Sequence, residues 1–487
     1  MRRPLATPLG RAALAGVLLT SMLATPGLAQ EPAPELAPED ADHLVREVQN
    51  AAHALGRQSD QLTNPDFAAA FTAGTVQTFP ENLARQLRQP LSPILTLGQL
   101  VPGGRTADPF RLTWAEDGRG LRTPISYENR YGATIRGALW APSLPFTDPV
   151  TGRTRSGPLP TVVITTGSIQ GFQEMYLWAA QGLAEAGYLV LLTDVQGQGS
   201  SDTFPGGSVL SCDVLGLAGR VASGEEGAGE DDPCPGVPFQ QRANFVEGTE
   251  DALQWLLSAS NPLRGLVDAS RVGLAGHSLG ASAITEVGNR AVPVPELPDL
   301  RIRAVVGWDD ANLPAEMTPR VPTMGQAAEA FFTPPLDPTP PDPDAHLTTH
   351  ERFVEAGVPT HHVSLRGSTH LEWTYIPALL PASSAGERVA MHYTLAWFDR
   401  FLKGASGGGT PATEWRAQRA DALERLTAST FDGSADASAI GAGRWVAPDG
   451  NTPITIAGDD VVDHLSYKYR SAYVVDGRTC EDLRDGC

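Results

Sequence analysis

A serine between two glycines, in the stretch GHSLG at residues 276–280, has the residue types and spacing of a nucleophile. The apolar run before it predicts a buried strand, and the small residues after Ser278 allow a helix to begin close to the sheet. A sharp turn between strand and helix holds a serine hydroxyl at the sheet edge, beside helix amides that stabilise negative charge. We therefore interpret Ser278 as a nucleophile, against the alternative of a structural loop of small residues.

A serine hydroxyl needs a base that removes its proton, and histidine is the usual one. His370 lies in the loop RGSTH after the last predicted strand, where it is free to reach Ser278. His361 and His362 lie within that strand and are interpreted as pairing or packing residues. His277 adjoins the serine, but its side chain is expected to point away, so it has at most a positioning role. The predicted base is His370.

The third member of such a triad is a carboxylate that orients the imidazole, and two strand ends compete for it. Asp309 ends the predicted strand AVVGWD, with Asp310 beside it, and Glu329 follows the next strand. Because both strands open at the same edge of the sheet, the residues alone leave these three carboxylates as alternatives. A helix cap is the structural interpretation of Asp309.

Two backbone amides are expected to bind the negative oxygen that forms during acyl transfer. Leu279 directly follows the predicted nucleophile and supplies one N–H. Ser168, in the loop TTGSIQG after the first long strand, supplies the other, and Gly167 lets the backbone turn there. The predicted oxyanion hole is therefore formed by the amides of Ser168 and Leu279.

The elements that must hold these residues are apolar strands alternating with helical patterns. Near-continuous apolar strands of this kind predict an α/β fold with a mostly parallel sheet covered by helices on both faces. An antiparallel hairpin is predicted before them, at Pro124–Pro142. The predicted strands are Leu159–Gly167, Gly187–Val195, Ser270–Gly276, Ile302–Asp309, Arg320–Gln326 and Thr360–Gly367. The main predicted helices are Phe172–Ala186, Phe239–Ser260, His346–Ala356 and Met391–Gly404.

The chain divides into four predicted regions. Residues 1–29 have the basic start, short apolar run and small-residue end of a signal peptide, which predicts a secreted or cell-envelope protein. Residues 30–110 form a linker and helical extension, and 111–404 form the catalytic domain, with insertions near 202–238 and 331–344. Residues 405–487 form a linker and a small C-terminal segment.

Four cysteines are consistent with export. Their short separations favour the disulfides Cys212–Cys234 and Cys480–Cys487 among the three possible pairings. A cysteine metal site is not expected because no Cys-x-x-Cys spacing occurs. His346 and His350 stand four apart without an evident third ligand, so they are interpreted as a solvated helix face. No metal or cofactor is predicted.

Composition excludes several kinds of partner. The net charge is −20, and charged residues make up 19% of the chain without basic runs. A nucleic-acid partner is therefore not expected, because no basic stripe opposes phosphate charge, and neither is attraction to anionic membranes. No integral membrane segment is expected after signal cleavage.

The motifs described above resemble those of the α/β-hydrolase superfamily, in the chain order serine, acid, histidine, over roughly residues 124–404. The segment DVQGQGSSD at 194–202 is similar to a D-x-R-G-x-G-x-S motif, with Gln196 in place of arginine. GHSLGA, VVGWDDANLP and SLRGSTH look most like secreted bacterial lipase-like enzymes and platelet-activating-factor acetylhydrolases. In that branch the acid follows the strand after the nucleophile, which favours Asp309 over Glu329.

The resemblance implies a serine carboxylester hydrolase that acts on small-molecule or lipid esters through an acyl-enzyme. An acyltransferase would use the same triad, and a catalytically silent binding protein would keep the fold without the chemistry. The sequence leaves the acyl chain, the oligomeric state and the presence of a mobile lid open.

Overall fold

The central element is a ten-stranded sheet, ordered β1-β2-β6-β5-β7-β8-β9-β10-β11-β12. The computed structural model describes residues 38–88, 111, 113–168, 171–208, 242–309, 311–332, 339–374, 384–406, 410–427, 465–475 and 478–480. The strands are β1 (Gly120–Glu128), β2 (Thr134–Pro142), β3 (Phe146–Thr147), β4 (Thr154–Arg155), β5 (Leu159–Thr165), β6 (Leu189–Asp194), β7 (Val267–His277), β8 (Ile302–Trp308), β9 (Thr323–Ala330), β10 (Thr360–Thr369), β11 (Leu465–Val475) and β12 (Arg478–Cys480). Strands β3 and β4 form a separate two-stranded sheet.

Strands β6, β5, β7, β8, β9 and β10 run parallel, so their carboxyl ends meet at one edge. The predicted hairpin is β1 and β2, which pair antiparallel, and β2 also pairs antiparallel with β6. Side chains of β5, β6, β7 and β8 enter both cores: in β5, Val162 and Ile164 lie in one hydrophobic cluster and Val163 in the other. A strand buried on both faces reads as a continuous apolar run, which is why these strands were predictable.

Helices cover both faces of the sheet. The helices are α1 (Pro38–Thr63), α2 (Pro65–Arg88), α3 (Leu177–Glu185), α4 (Arg242–Leu257), α5 (Leu279–Asn289), α6 (Leu347–Glu355), α7 (Ser384–Phe398) and α8 (Ala412–Thr427). Side chains of α3 and α7 pack in one cluster, and those of α4 and α5 in the other. The strand order and the two helical layers are those of an α/β-hydrolase fold, which confirms the predicted fold class.

Both ends of the described chain pack on this sheet. Asn50 of α1 donates from Nδ2 to the carbonyl oxygens of Arg366 (3.0 Å) and Gly367 (2.7 Å), at the end of β10. The C-terminal part adds α8 beside α7, and β11 pairs antiparallel with the opposite side of β10 from β9. The helices α1 and α2 lie within residues 30–110, for which a helical extension is predicted. Neither α2 nor α8 has the strong apolar periodicity that predicts an individual helix.

Several predictions concern residues outside the described ranges. The signal peptide and most of the insertion at 202–238 are among them, as are Cys212, Cys234 and Cys487. For Cys480 only the backbone, in β12, is described. The two disulfides and the four-region division therefore stay predictions.

Candidate active site

Ser278 lies at the sharp turn between β7 and α5. Its backbone has φ 55° and ψ −128°, a conformation that costs energy in a residue with a side chain and is typical of functional turns. The flanking glycines have no room for a side chain: a Cβ on Gly276 would lie 2.7 Å from the Gly280 carbonyl oxygen, and one on Gly280 would lie 2.3 Å from that of Thr166. The small residues on either side of Ser278 are thus required by the closeness of β7, α5 and the end of β5.

The imidazole of His370 joins Ser278 to Asp309. Ser278 Oγ lies 3.0 Å from Nε2 of His370, and Nδ1 of the same ring makes a short hydrogen bond to Oδ2 of Asp309. The three residues follow β7, β10 and β8 at their carboxyl ends, so parallel strands bring together positions that are 61 and 92 residues apart. The serine and the histidine are partly buried, whereas Asp309 is fully enclosed.

The carboxyl of Asp309 stays ionised although it is buried. Burial by itself raises its pKa. The imidazole of His370 and the hydrogen bonds from His346 and His370 lower the pKa by more than burial raises it, so that it lies well below the usual range. Oδ1 also accepts the N–H of Ala328 at 2.9 Å. A buried carboxylate with these partners can hold the imidazole in one tautomer and stabilise it when it is protonated.

The other two predicted acids are arranged differently. Glu329 is as buried as Asp309, but its Oε2 accepts the backbone N–H of Gly367 at 2.8 Å. Gly367 precedes His370 by three residues, so Glu329 bonds the backbone of the histidine loop. Asp310 lies outside the described residues. Of the described carboxylates, Asp309 is the one that contacts the imidazole of His370.

The two residues predicted to donate to an oxyanion lie at the same sheet edge. Leu279 is the first residue of α5, and Ser168 follows β5 by three residues. Strand β5 pairs with β7 in the register Thr165–Gly276, which brings the loop after β5 beside the turn that holds Ser278. Leu279 therefore directly follows the serine, and Ser168 belongs to the loop beside it.

The prediction that His346 and His350 form a solvated helix face is wrong. His346 directly precedes α6, and its Nε2 lies 3.3 Å from Oδ1 of Asp309. His350 is buried, with Nδ1 3.2 Å from Oγ1 of Thr360. Two residues that looked like a surface pair thus face β9, β10 and Asp309, the residue after β8, because α6 packs with this side against the sheet.

Aromatic and apolar side chains near the site lie mostly in the core. The sequence predicts six such residues near a pocket mouth, with about half of them expected to be ordinary core: Phe172, Met175, Tyr176, Trp308, Trp373 and Tyr375. The first five are buried in the core, and Tyr375 lies outside the described residues. Instead Phe331, which is 54% exposed, stacks on the imidazole of His370 with ring centroids 4.5 Å apart. The dipeptide Phe331-Phe332 before a proline-rich run was the signal for it.

The described part of the chain contains no group of three or more His, Cys, Asp or Glu side chains that could hold a metal ion. None of its helices combines the length and the apolar character needed to cross a bilayer.

No family model matches the chain, and no curated protein matches it. Among solved structures, a ferulic acid esterase from Streptomyces cinnamoneus is similar, with 18% identity and a TM-score of 0.36 over 61% of this chain and 94% of that chain. At this identity and TM-score the likeness carries no argument.

Proposed function

We propose that the protein is a serine carboxylester hydrolase in which Ser278 is the nucleophile, His370 the general base and Asp309 the acid. The observation that carries the proposal is the continuous set of hydrogen bonds from Ser278 Oγ through the His370 imidazole to Asp309, with the serine on a strained turn at a helix N-terminus. A nucleophile within hydrogen-bond reach of a base, itself oriented by a carboxylate, is the arrangement that acyl transfer requires.

The proposed reaction has two steps. Ser278 Oγ attacks the ester carbonyl carbon while its proton passes to Nε2 of His370, and the amides of Ser168 and Leu279 bind the oxyanion. His370 then gives this proton to the leaving alkoxide, and the acyl group stays on the serine. A water molecule, deprotonated by His370, then attacks the acyl carbon. As the carboxylic acid leaves, His370 gives this proton to Ser278 Oγ, which restores the free hydroxyl.

We also propose that the protein belongs to the lipase-like branch whose motifs it resembles. In that branch the triad carboxylate follows the strand that comes next after the nucleophile, as Asp309 does here. The predicted signal peptide makes this an exported enzyme. Acyl transfer to an alcohol and a silent binding protein are the other outcomes that the experiment must separate.

Hydrolysis of p-nitrophenyl esters from acetate to palmitate tests the proposal. We expect Ser278→Ala to lower kcat by about three orders of magnitude or more, because the covalent step is lost. Ser282→Ala, the same chemical change on the buried side of α5, is the matched control and should retain activity. Retained activity in Ser278→Ala, or no reaction of Ser278 with a fluorophosphonate, would contradict the proposal. A product ester that depends on added alcohol would indicate a transferase.

A further inference from the structure

A chain of hydrogen bonds between buried side chains links three loops of the candidate site. The backbone N–H of Gly167 donates to the phenolic oxygen of Tyr176 at 3.0 Å, and that oxygen lies 2.9 Å from Nδ1 of His277. Nε2 of His277 lies 2.8 Å from the carbonyl oxygen of His370. One end of this chain is thus the residue before Ser168, the middle adjoins Ser278, and the other end is the triad histidine itself.

The direction of every bond in this chain can be assigned. A carbonyl oxygen only accepts, so Nε2 of His277 carries the proton and donates to His370. In the neutral ring Nδ1 is then an acceptor, so the hydroxyl of Tyr176 donates to it, and the same oxygen is left to accept the N–H of Gly167. Each group has one role, so the arrangement admits a single tautomer of His277.

The surroundings keep both groups neutral. Burial, and next the nearby imidazole of His370, lower the pKa of His277 to about 3. Burial also raises the pKa of Tyr176 above its usual value. The titratable groups that act on His277 are His370 and Asp309, and Asp194 acts on Tyr176. Across the pH range in which an esterase is assayed, the bonding pattern therefore does not change.

Packing gives the pair little freedom to move. The side chains of Tyr176 and His277 are 0% and 3% exposed. The ring of Tyr176 stacks on Trp308, the residue before Asp309, with an interplanar angle of 9°. A Cβ on Gly167 would lie 2.8 Å from Nδ1 of His277, so the loop after β5 lies directly on this imidazole.

We propose that Tyr176 and His277 are positioning residues that fix the loop carrying the Ser168 amide and the backbone of His370 relative to Ser278. The inference rests on the proposed function. Stabilisation of an oxyanion depends on donors that are already in place, so a shift of a few tenths of an ångström in this loop lowers the rate without removing any reacting group. Neither residue touches the ester in this role.

The substitution Tyr176→Phe tests the proposal because it keeps the ring and removes only the hydroxyl. We expect kcat per active site, titrated with a fluorophosphonate, to fall about 10- to 100-fold, with KM within about 3-fold, because transition-state rather than ground-state contacts are loosened. The deficit should be equal at pH 6 and pH 8.5, since His277 is neutral at both. Tyr393→Phe, an equally buried tyrosine on α7, is the matched control and should keep the wild-type kcat.

Substitutions of His277 supply a second test. His277→Gln keeps a donor for the His370 carbonyl, whereas His277→Leu has none, so the glutamine variant should recover at least part of the activity lost in the leucine variant. Wild-type kcat per titrated site in Tyr176→Phe, or equal losses in both His277 variants, would overturn the proposal. Because kcat is calculated per active site titrated with a fluorophosphonate, a variant that folds poorly gives fewer titrated sites but the same kcat per site. Failure of the proposed function is separate: it would appear as wild-type hydrolysis that does not depend on Ser278.

Discussion

The ends of β8 and β9 carry two carboxylates that are equally buried and bond to different parts of the same histidine loop. Asp309 and Glu329 are each 3% exposed, and their strands are parallel neighbours with Trp308 opposite Gln326. Asp309 bonds the imidazole of His370, while Glu329 bonds the backbone N–H of Gly367. Burial and position at the sheet edge therefore do not decide which carboxylate orients the imidazole; the direction of each side chain does.

The backbone at the end of β8 explains the difference. Asp309 has φ 51°, its N–H donates to the carbonyl oxygen of Gln326 at 2.7 Å, and its Oδ1 accepts the N–H of Ala328. These bonds turn the residue over β9 and aim Oδ2 at His370. Glu329 is still within β9, and its longer side chain reaches Gly367, whose carbonyl oxygen is held by Asn50 of α1.

Exchanging each acid for its amide is the strongest test of this comparison. Asp309→Asn should lower kcat by about 10³- to 10⁴-fold, because an amide cannot stabilise the imidazolium and favours the wrong tautomer. Glu329→Gln keeps an oxygen that can accept the Gly367 N–H and should lower kcat by less than about 10-fold. Steady-state kinetics of the two variants measure both values. A larger loss in Glu329→Gln than in Asp309→Asn would reverse the assignment.

Removing the Glu329 carboxyl altogether tests whether Glu329 stabilises the fold, in contrast to the role proposed for Asp309 in the reaction. Glu329→Ala leaves the buried Gly367 N–H without this acceptor, which should lower the free energy of unfolding by about 1–3 kcal/mol. Urea denaturation followed by tryptophan fluorescence measures this change. The matched variant Glu329→Gln should be the more stable of the two. Equal stability of the alanine variant and the wild type would mean that the bond to Gly367 contributes nothing measurable.

The smallest effect is expected at His346, which contacts the other oxygen of Asp309. His346→Gln should change kcat by less than about 5-fold, because Oδ1 keeps the Ala328 N–H and Oδ2 keeps His370, and one partly exposed hydrogen bond contributes about 1 kcal/mol. Measuring kcat of His346→Gln and Asp309→Asn under the same conditions compares the two losses directly. A loss as large as that in Asp309→Asn would make His346 an essential part of the acid's environment.

Local patterns in the sequence were sufficient for the strands and the turn. Apolar runs such as Leu159–Gly167 and Gly187–Val195 correspond to β5 and β6, and GHSLG corresponds to the turn after β7. Residues whose neighbours come from distant parts of the chain were predicted less well. His346 looked like a surface residue because its spacing to His350 says nothing about which side of α6 meets the sheet. For Trp308 and Trp373 the sequence left a pocket mouth and the core as alternatives, because being near a strand end does not distinguish core from cleft, and both side chains are buried.

The sequence by itself determined the fold class, the turn that holds Ser278 and the loop that holds His370, because each depends on residues adjacent in the chain: apolar periodicity, small residues around Ser278, and a Gly/Ser stretch before His370. Only the tertiary structure shows that Asp309, and not Glu329, contacts the imidazole of His370, and that Gly167, Tyr176 and His277 form one chain of hydrogen bonds. Those contacts join residues up to 101 positions apart, and the orientation of a side chain across such a distance depends on how strands and helices pack, which no local pattern contains.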